Sequence, residues 1–137
     1  NKPEYVEIEF QNGVPIALNG EEMDGVKLVL QLNDIAGEHG IGRIDHVENR
    51  LVGIKSREIY ESPAGVVLHQ AHHALEDMCL SRDQARFKTL VSSQISEMIY
   101  NGLWFSALHQ DLRAFVESSQ RNVEGTVRLK FFKGTSM

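Results

Sequence analysis

Strand-type alternation stands at both ends of this chain and in its middle, with blocks of helical periodicity between. In residues 5–10, Val6, Ile8 and Phe10 point one way and Tyr5, Glu7 and Glu9 the other, the period of a half-buried strand. In residues 124–133, Val127, Leu129 and Phe131 alternate with Arg128, Lys130 and Lys133. Asn12-Gly13 is a tight-turn pair, because both residue types tolerate positive φ. It returns the chain into a second strand over 14–18. Pro15 has no N–H to give a ladder, so that strand is expected at an edge or irregular. Strands separated by helical blocks predict an α+β fold: a mostly antiparallel sheet with several packed helices.

The helical blocks are read from apolar spacing. Residues 23–39 place Val26, Val29, Leu30, Asn33 and Ala36 along one side, with Gly37 and Gly40 as stops. Residues 64–80 carry Val67, Ala71, Ala74, Leu75 and Met78 at helical spacing, opened by Ser62-Pro63. Residues 83–100 present Phe87, Leu90, Val91, Ile95, Met98 and Ile99, after a cap in Ser81-Arg82-Asp83 and before Asn101-Gly102. Ser106 precedes a last helix with Leu108, Leu112, Phe115 and Val116 apolar. No internal repeat, low-complexity tract or long linker interrupts the pattern.

Charge and apolar runs exclude several functions. A net charge of −5 provides no clustered positive surface, which argues against nonspecific nucleic-acid or membrane-surface binding. No apolar run approaches the length of a membrane-spanning helix. The start, NKPEYVEIEF, lacks the basic-then-apolar order of a signal peptide. A lone Cys79 cannot form an internal disulfide and fits a reducing, cytoplasmic setting. Cys79 is expected to be buried and inert. At 137 residues the chain is the size of one domain. It begins at Asn1, directly before a strand, as a piece of a longer protein would.

Residues 40–65, GIGRIDHVENRLVGIKSREIYESPAG, hold the densest chemistry. Two β-type segments are expected, at 43–49 and 51–60. Glu48 and Tyr60 stand twelve positions apart. A carboxylate pairs with an α-amino group, and a phenol adds a directional hydrogen bond from a rigid ring. The plain alternative is two exposed strand residues. Arg43, Arg50, Lys55 and Arg57 interleave with Asp45, Glu48 and Glu58, which predicts an ion-pair network setting local geometry.

His69, His72 and His73 invite a metal reading, since His69 and His73 share a helix face. Gln70 stands where the zinc-protease pattern HExxH has its Glu, so a surface helix with a polar His face is the expectation, without a metal. Trp104 and Phe105 are expected to anchor a core or an interface. No GxxxxGK[ST] or helix-opening GxGxxG occurs, so nothing here cradles a triphosphate at a helix N-terminus.

The pieces GRIDHVENR (42–50), VGIKSR (52–57) and IYE (59–61) resemble, in order and spacing, the signature segment of the C-terminal domain of argininosuccinate synthases. NGLWFS (101–106) and GTVRL (125–129) extend the resemblance over nearly the whole chain. One departure is Glu58, where a Gly often follows the SR pair; a changed local turn is the expected effect. The resemblance implies that Asn1–Met137 is the C-terminal synthetase and multimerisation domain of an AMP-forming ligase. That ligase joins citrulline and aspartate, with ATP and magnesium bound mainly by an N-terminal domain carrying an SGGLDTS-like loop. It implies that Glu48 and Tyr60 contact citrulline, that no residue here is catalytic or a metal ligand, and that the parent is tetrameric. It also implies a C-terminal arm, largely missing here. The alternative from a different class is an interaction module that assembles through exposed apolar surface.

Overall fold

The structure, a computed structural model, describes residues 2–137. The two ends of the chain lie side by side. Strand β1 (Glu4–Gln11) pairs antiparallel with β6 (Gly125–Phe132), from Glu4 opposite Phe131 to Phe10 opposite Gly125. On its other side β1 pairs with β2 (Val14–Leu18), followed by the short β3 (Glu21–Glu22); β7 (Thr135–Ser136) completes the order β3-β2-β1-β6-β7. The fold is therefore α+β with antiparallel pairing, as the sequence predicts. The hairpin between β1 and β2 turns on Asn12 and Gly13, with φ of 51° and 74°. A register shift at Glu9/Phe10 absorbs Pro15, so β2 is irregular there. Its outer neighbour β3 is only two residues long.

One sheet face is the core. Val6, Ile8 and Phe131 are fully buried, with Phe10 and Leu129 nearly so. Burying a side chain of this size contributes about 1.5–3 kcal/mol relative to exposure. Helices α1 (Gly25–Glu38) and α2 (Pro63–Cys79) cover this face. Asp24 caps α1, its carboxylate accepting from Val26 N and Lys27 N at 3.0 and 3.1 Å. Ser62 makes no side-chain cap for α2, and α1 supplies one instead: Ala64 N donates to Asn33 Oδ1 at 2.9 Å. Ala36, Ala64 and Ala71 are all buried in this cluster, where small side chains let the two helices approach.

The apolar stripe predicted for α1 holds only at buried Ala36 and half-buried Asn33. Val26, Val29 and Leu30 are exposed, while Leu28, Leu32 and Ala36 are buried. Leu28, Leu32 and Ala36 form one i, i+4 row on the side of the helix opposite Val26 and Leu30, whose row continues into Asp34 and Glu38. On α2, Val67, Ala71 and Leu75 face inward as expected, but Met78 is 85% exposed and Ala74 is also exposed.

Helices α3 (Arg82–Tyr100) and α4 (Ala107–Gln120) form a second layer with little core of its own. Ser81 opens α3 in a capping box with Gln84, and Ser106 opens α4 by accepting from His109 N at 3.3 Å. Of the expected α3 face only Val91 and Met98 are buried, while Phe87 and Leu90 are exposed. A polar knot ties this layer down. Buried Glu76 of α2 receives Lys88 of α3 at 3.0 Å and Gln120 of α4 at 2.6 Å. Such a buried carboxylate is tolerable only because it is paired.

Candidate functional site

The residues singled out by sequence fall on a separate antiparallel hairpin, β4 (Arg43–Asn49) with β5 (Lys55–Glu61). The second strand starts at Lys55, later than predicted. Leu51 and Val52 lie in a turn where Arg50 N donates to Ile54 O at 2.8 Å and Gly53 has φ 83°. At the hairpin base, Gly42 (φ 95°) presses against the Pro63 backbone while Ser62 N donates to Gly42 O at 2.8 Å. A side chain at 42 has no room, and glycine is what joins the hairpin to α2.

Strand parity sorts the side chains. Ile44, His46 and Glu48 stand opposite Tyr60, Glu58 and Ser56, so these six share one face. Tyr60 reaches along that face and donates its hydroxyl to Glu48 Oε2 at 2.9 Å. His46 Nε2 is 3.3 Å from the same oxygen, and the His46 and Tyr60 rings are 5.5 Å apart. Arg50 Nη1 donates to Glu48 Oε1 at 2.6 Å, while its Nη2 is 3.8 Å from Glu58 Oε1. The opposite face carries the other pairs: Arg57 grips Asp45 through two hydrogen bonds, one of 2.8 Å, and Arg43 meets Glu61 at 3.2 Å. The predicted ion-pair network is present and divided between the two faces. Glu58 leaves the strand pairing regular, opposite His46, so the altered turn expected of it does not occur.

This arrangement sets protonation. Hydrogen bonds from Tyr60 and His46, then Arg50, hold the Glu48 carboxyl below the usual carboxylate range, so it is anionic at neutral pH. The bond to Glu48 pushes the Tyr60 phenol above its ordinary value. A phenol that keeps its proton and a carboxylate that keeps its charge are poor general acid and base partners. They suit the binding of a cation. Ser56 Oγ, opposite Glu48, is buried without a hydrogen-bond partner.

The site is an open wall. Glu48's side chain is 19% exposed, and Tyr60 is 42% exposed. Clefts of the body lie elsewhere, among them one of about 240 Å³ between α2 and α3 and one of about 440 Å³ beside Met23. The hairpin is tied to the second layer by Tyr100, whose hydroxyl donates to Asn49 O at 2.8 Å.

The other candidates do not converge. His69 and His73 are exposed, but His72 is half-buried between Phe10 and Gln120, with Nε2 2.8 Å from Gln120 Oε1. The expected polar face is present at His69 and His73, while His72 turns inward and is structural. Among the described residues no three His, Cys, Asp or Glu side chains form a metal-sized cluster. Cys79 is half-buried at the core margin, not fully buried. Trp104 is 50% and Phe105 92% exposed, so neither anchors this chain's core. His46 and Ser56 were not singled out from sequence; counting alternate positions from Glu48 and Tyr60 would have found both.

The chain, an α+β domain carrying this charged hairpin, belongs to the family described as Arginosuccinate synthase C-terminal domain, whose model matches residues 1–137. Its relatives carry the enzyme's name. An argininosuccinate synthase of Dehalococcoides mccartyi is 66% identical over 133 residues, covering 97% of this chain and 33% of the relative. One of Listeria monocytogenes is 59% identical over 132 residues, with 96% and 33% covered. One of Trichodesmium erythraeum is 56% identical over 137 residues, with 100% and 34% covered. The chain thus spans about a third of the length of these relatives.

Proposed function

We propose that this chain is the C-terminal domain of an argininosuccinate synthase. In that reading the intact protein ligates citrulline and aspartate to argininosuccinate in arginine biosynthesis, splitting ATP to AMP and pyrophosphate. The family membership and the relatives' names support it. The observation that carries the site is the meeting of Glu48 and Tyr60, twelve residues apart, at 2.9 Å with the carboxylate held charged. Glu48 pairs with the α-ammonium of citrulline, and Tyr60 orients the carboxylate. Both are binding residues; the chemistry demands that the ureido oxygen be positioned at the α-phosphate of ATP with water excluded.

The residues of this chain do not fit ATP and magnesium. Its helices open on Asp24, Ser62, Ser81 and Ser106, none after a Gly-rich loop. ATP, magnesium and most aspartate contacts belong to another part of a longer, cytoplasmic enzyme. Two outcomes test this. In the full-length protein Glu48→Gln raises the citrulline KM by about tenfold or more, through loss of a charge-assisted bond, and changes the ATP KM far less. An unchanged citrulline KM sinks the assignment. This chain alone, given ATP, citrulline and aspartate, releases no pyrophosphate above background.

A second reading, an assembly module, is favoured by the apolar side chains left outward on the second layer, with Phe105 the most exposed. It is compatible with the first, since the parent is expected to be a tetramer.

A further inference from the structure

The Glu48 wall holds a cation of its own. Arg50 donates to Glu48 Oε1 at 2.6 Å, while Tyr60 and His46 occupy Oε2 at 2.9 and 3.3 Å. Both carboxylate oxygens are therefore engaged before any ligand arrives. A second carboxylate stands within reach of the same guanidinium, Glu58 Oε1 at 3.8 Å from Nη2. Glu58 is two residues from Ser56 on the same strand face, and Ser56 is Glu48's direct partner. Two carboxylates thus share one arginine, and one negative charge is left over.

We propose that Arg50 is a tethered stand-in for the ligand's ammonium group. When an α-amino acid binds, its ammonium takes Glu48 Oε1 and the Arg50 guanidinium swings fully onto Glu58. Each carboxylate then has one cation. The movement is small, since Nη2 already lies at the outer limit of an ion pair with Glu58. Arg50 is free to make it: its side chain is 45% exposed, and it opens the 50–53 turn, where its backbone is held by Ile54 O and Gly53 N. The buried, unpaired Ser56 Oγ lies on the face that the guanidinium vacates and accepts a second ammonium hydrogen. Arginine keeps its charge at every working pH, so the competition does not fade with pH. Its effect is to weaken binding of anything that presents an ammonium, while the Glu58 refuge limits that loss.

The inference rests on the reading of Glu48 as an ammonium site. It is tested in the full-length protein with citrulline and with the same ureido acid lacking the α-amino group, 5-ureidopentanoate. Arg50→Met should bind citrulline roughly two- to fivefold tighter, the scale of an exposed ion pair removed, and 5-ureidopentanoate unchanged. In a Glu48→Gln background Arg50→Met should tighten nothing. Weaker citrulline binding by Arg50→Met, or equal tightening of both ligands, overturns the stand-in role and makes Arg50 a support for Glu48. If Glu48→Gln itself leaves citrulline binding intact, the site reading fails first. Should Arg50→Met not fold, crystals of the unaltered protein with and without citrulline decide. A guanidinium more than about 4 Å from Glu48 in the complex sustains the inference, and a retained Arg50–Glu48 bond refutes it.

Discussion

Tyr60 and Glu48 protect each other's protonation state from opposite ends of the pH scale. The phenol's folded value lies above its ordinary 10.0, so the stabilisation from their bond is complete below 10.0 and fades as pH rises through the raised value. The carboxylate's folded value lies below its ordinary 4.5, so the stabilisation is complete above 4.5 and is lost as pH falls through the lowered value. Tyrosinate absorbance should show a late-titrating component that is lost in Tyr60→Phe. If Tyr60→Phe removes no late component, the bond is absent in solution. Both residues were legible as a pair in the sequence because a motif carries them at fixed spacing. The guanidinium between Glu48 and Glu58 was not legible. A list of charges in a strand does not say which face each joins until register is known, and a one-residue slip exchanges the faces.

Among the elements, boundaries marked by capping chemistry were read well. Ser81 and Ser106 begin their helices where the sequence placed them. Ser81→Ala removes the capping box and should lower stability by about 1 kcal/mol in urea unfolding. Gly42→Ala should cost more, because it adds a left-handed alanine, at about 1–2 kcal/mol, to a clash with the Pro63 backbone. An alanine tolerated there without loss would show that the hairpin base is loosely seated. Helix faces were read less well. In α1 the row Leu28, Leu32, Ala36 is wholly apolar while that of Val26 and Leu30 runs on into Asp34 and Glu38, so the buried side was legible and the count of apolar residues alone misled. The hairpin turn was misread for a related reason: Leu51 and Val52 look like strand residues, yet Gly53 at positive φ bends them out into solvent.

Across the whole molecule, the sheet with α1 and α2 is a complete core, whereas α3 and α4 are held chiefly through the knot at Glu76. Phe131→Ala should therefore lower global stability by about 3–5 kcal/mol, read by denaturant melts. Phe105→Ser should leave stability nearly unchanged and reduce self-association in light scattering over a dilution series. A chain that stays monomeric at high concentration before the substitution argues against the assembly reading. The outward residues Phe87, Leu90 and Phe105 explain why apolar spacing on α3 and beyond overstated the core. Spacing reports which side chains avoid water, not which molecule covers them. The pairing of β1 with β6 also has a consequence in time. The sheet's first strand is made long before the partner it pairs with. A nascent chain ending before Gly125 keeps one edge of β1 unpaired, and so long-range a closure is slow. The sheet cannot close until β6 has been made, and chains stalled before it should stay open to protease.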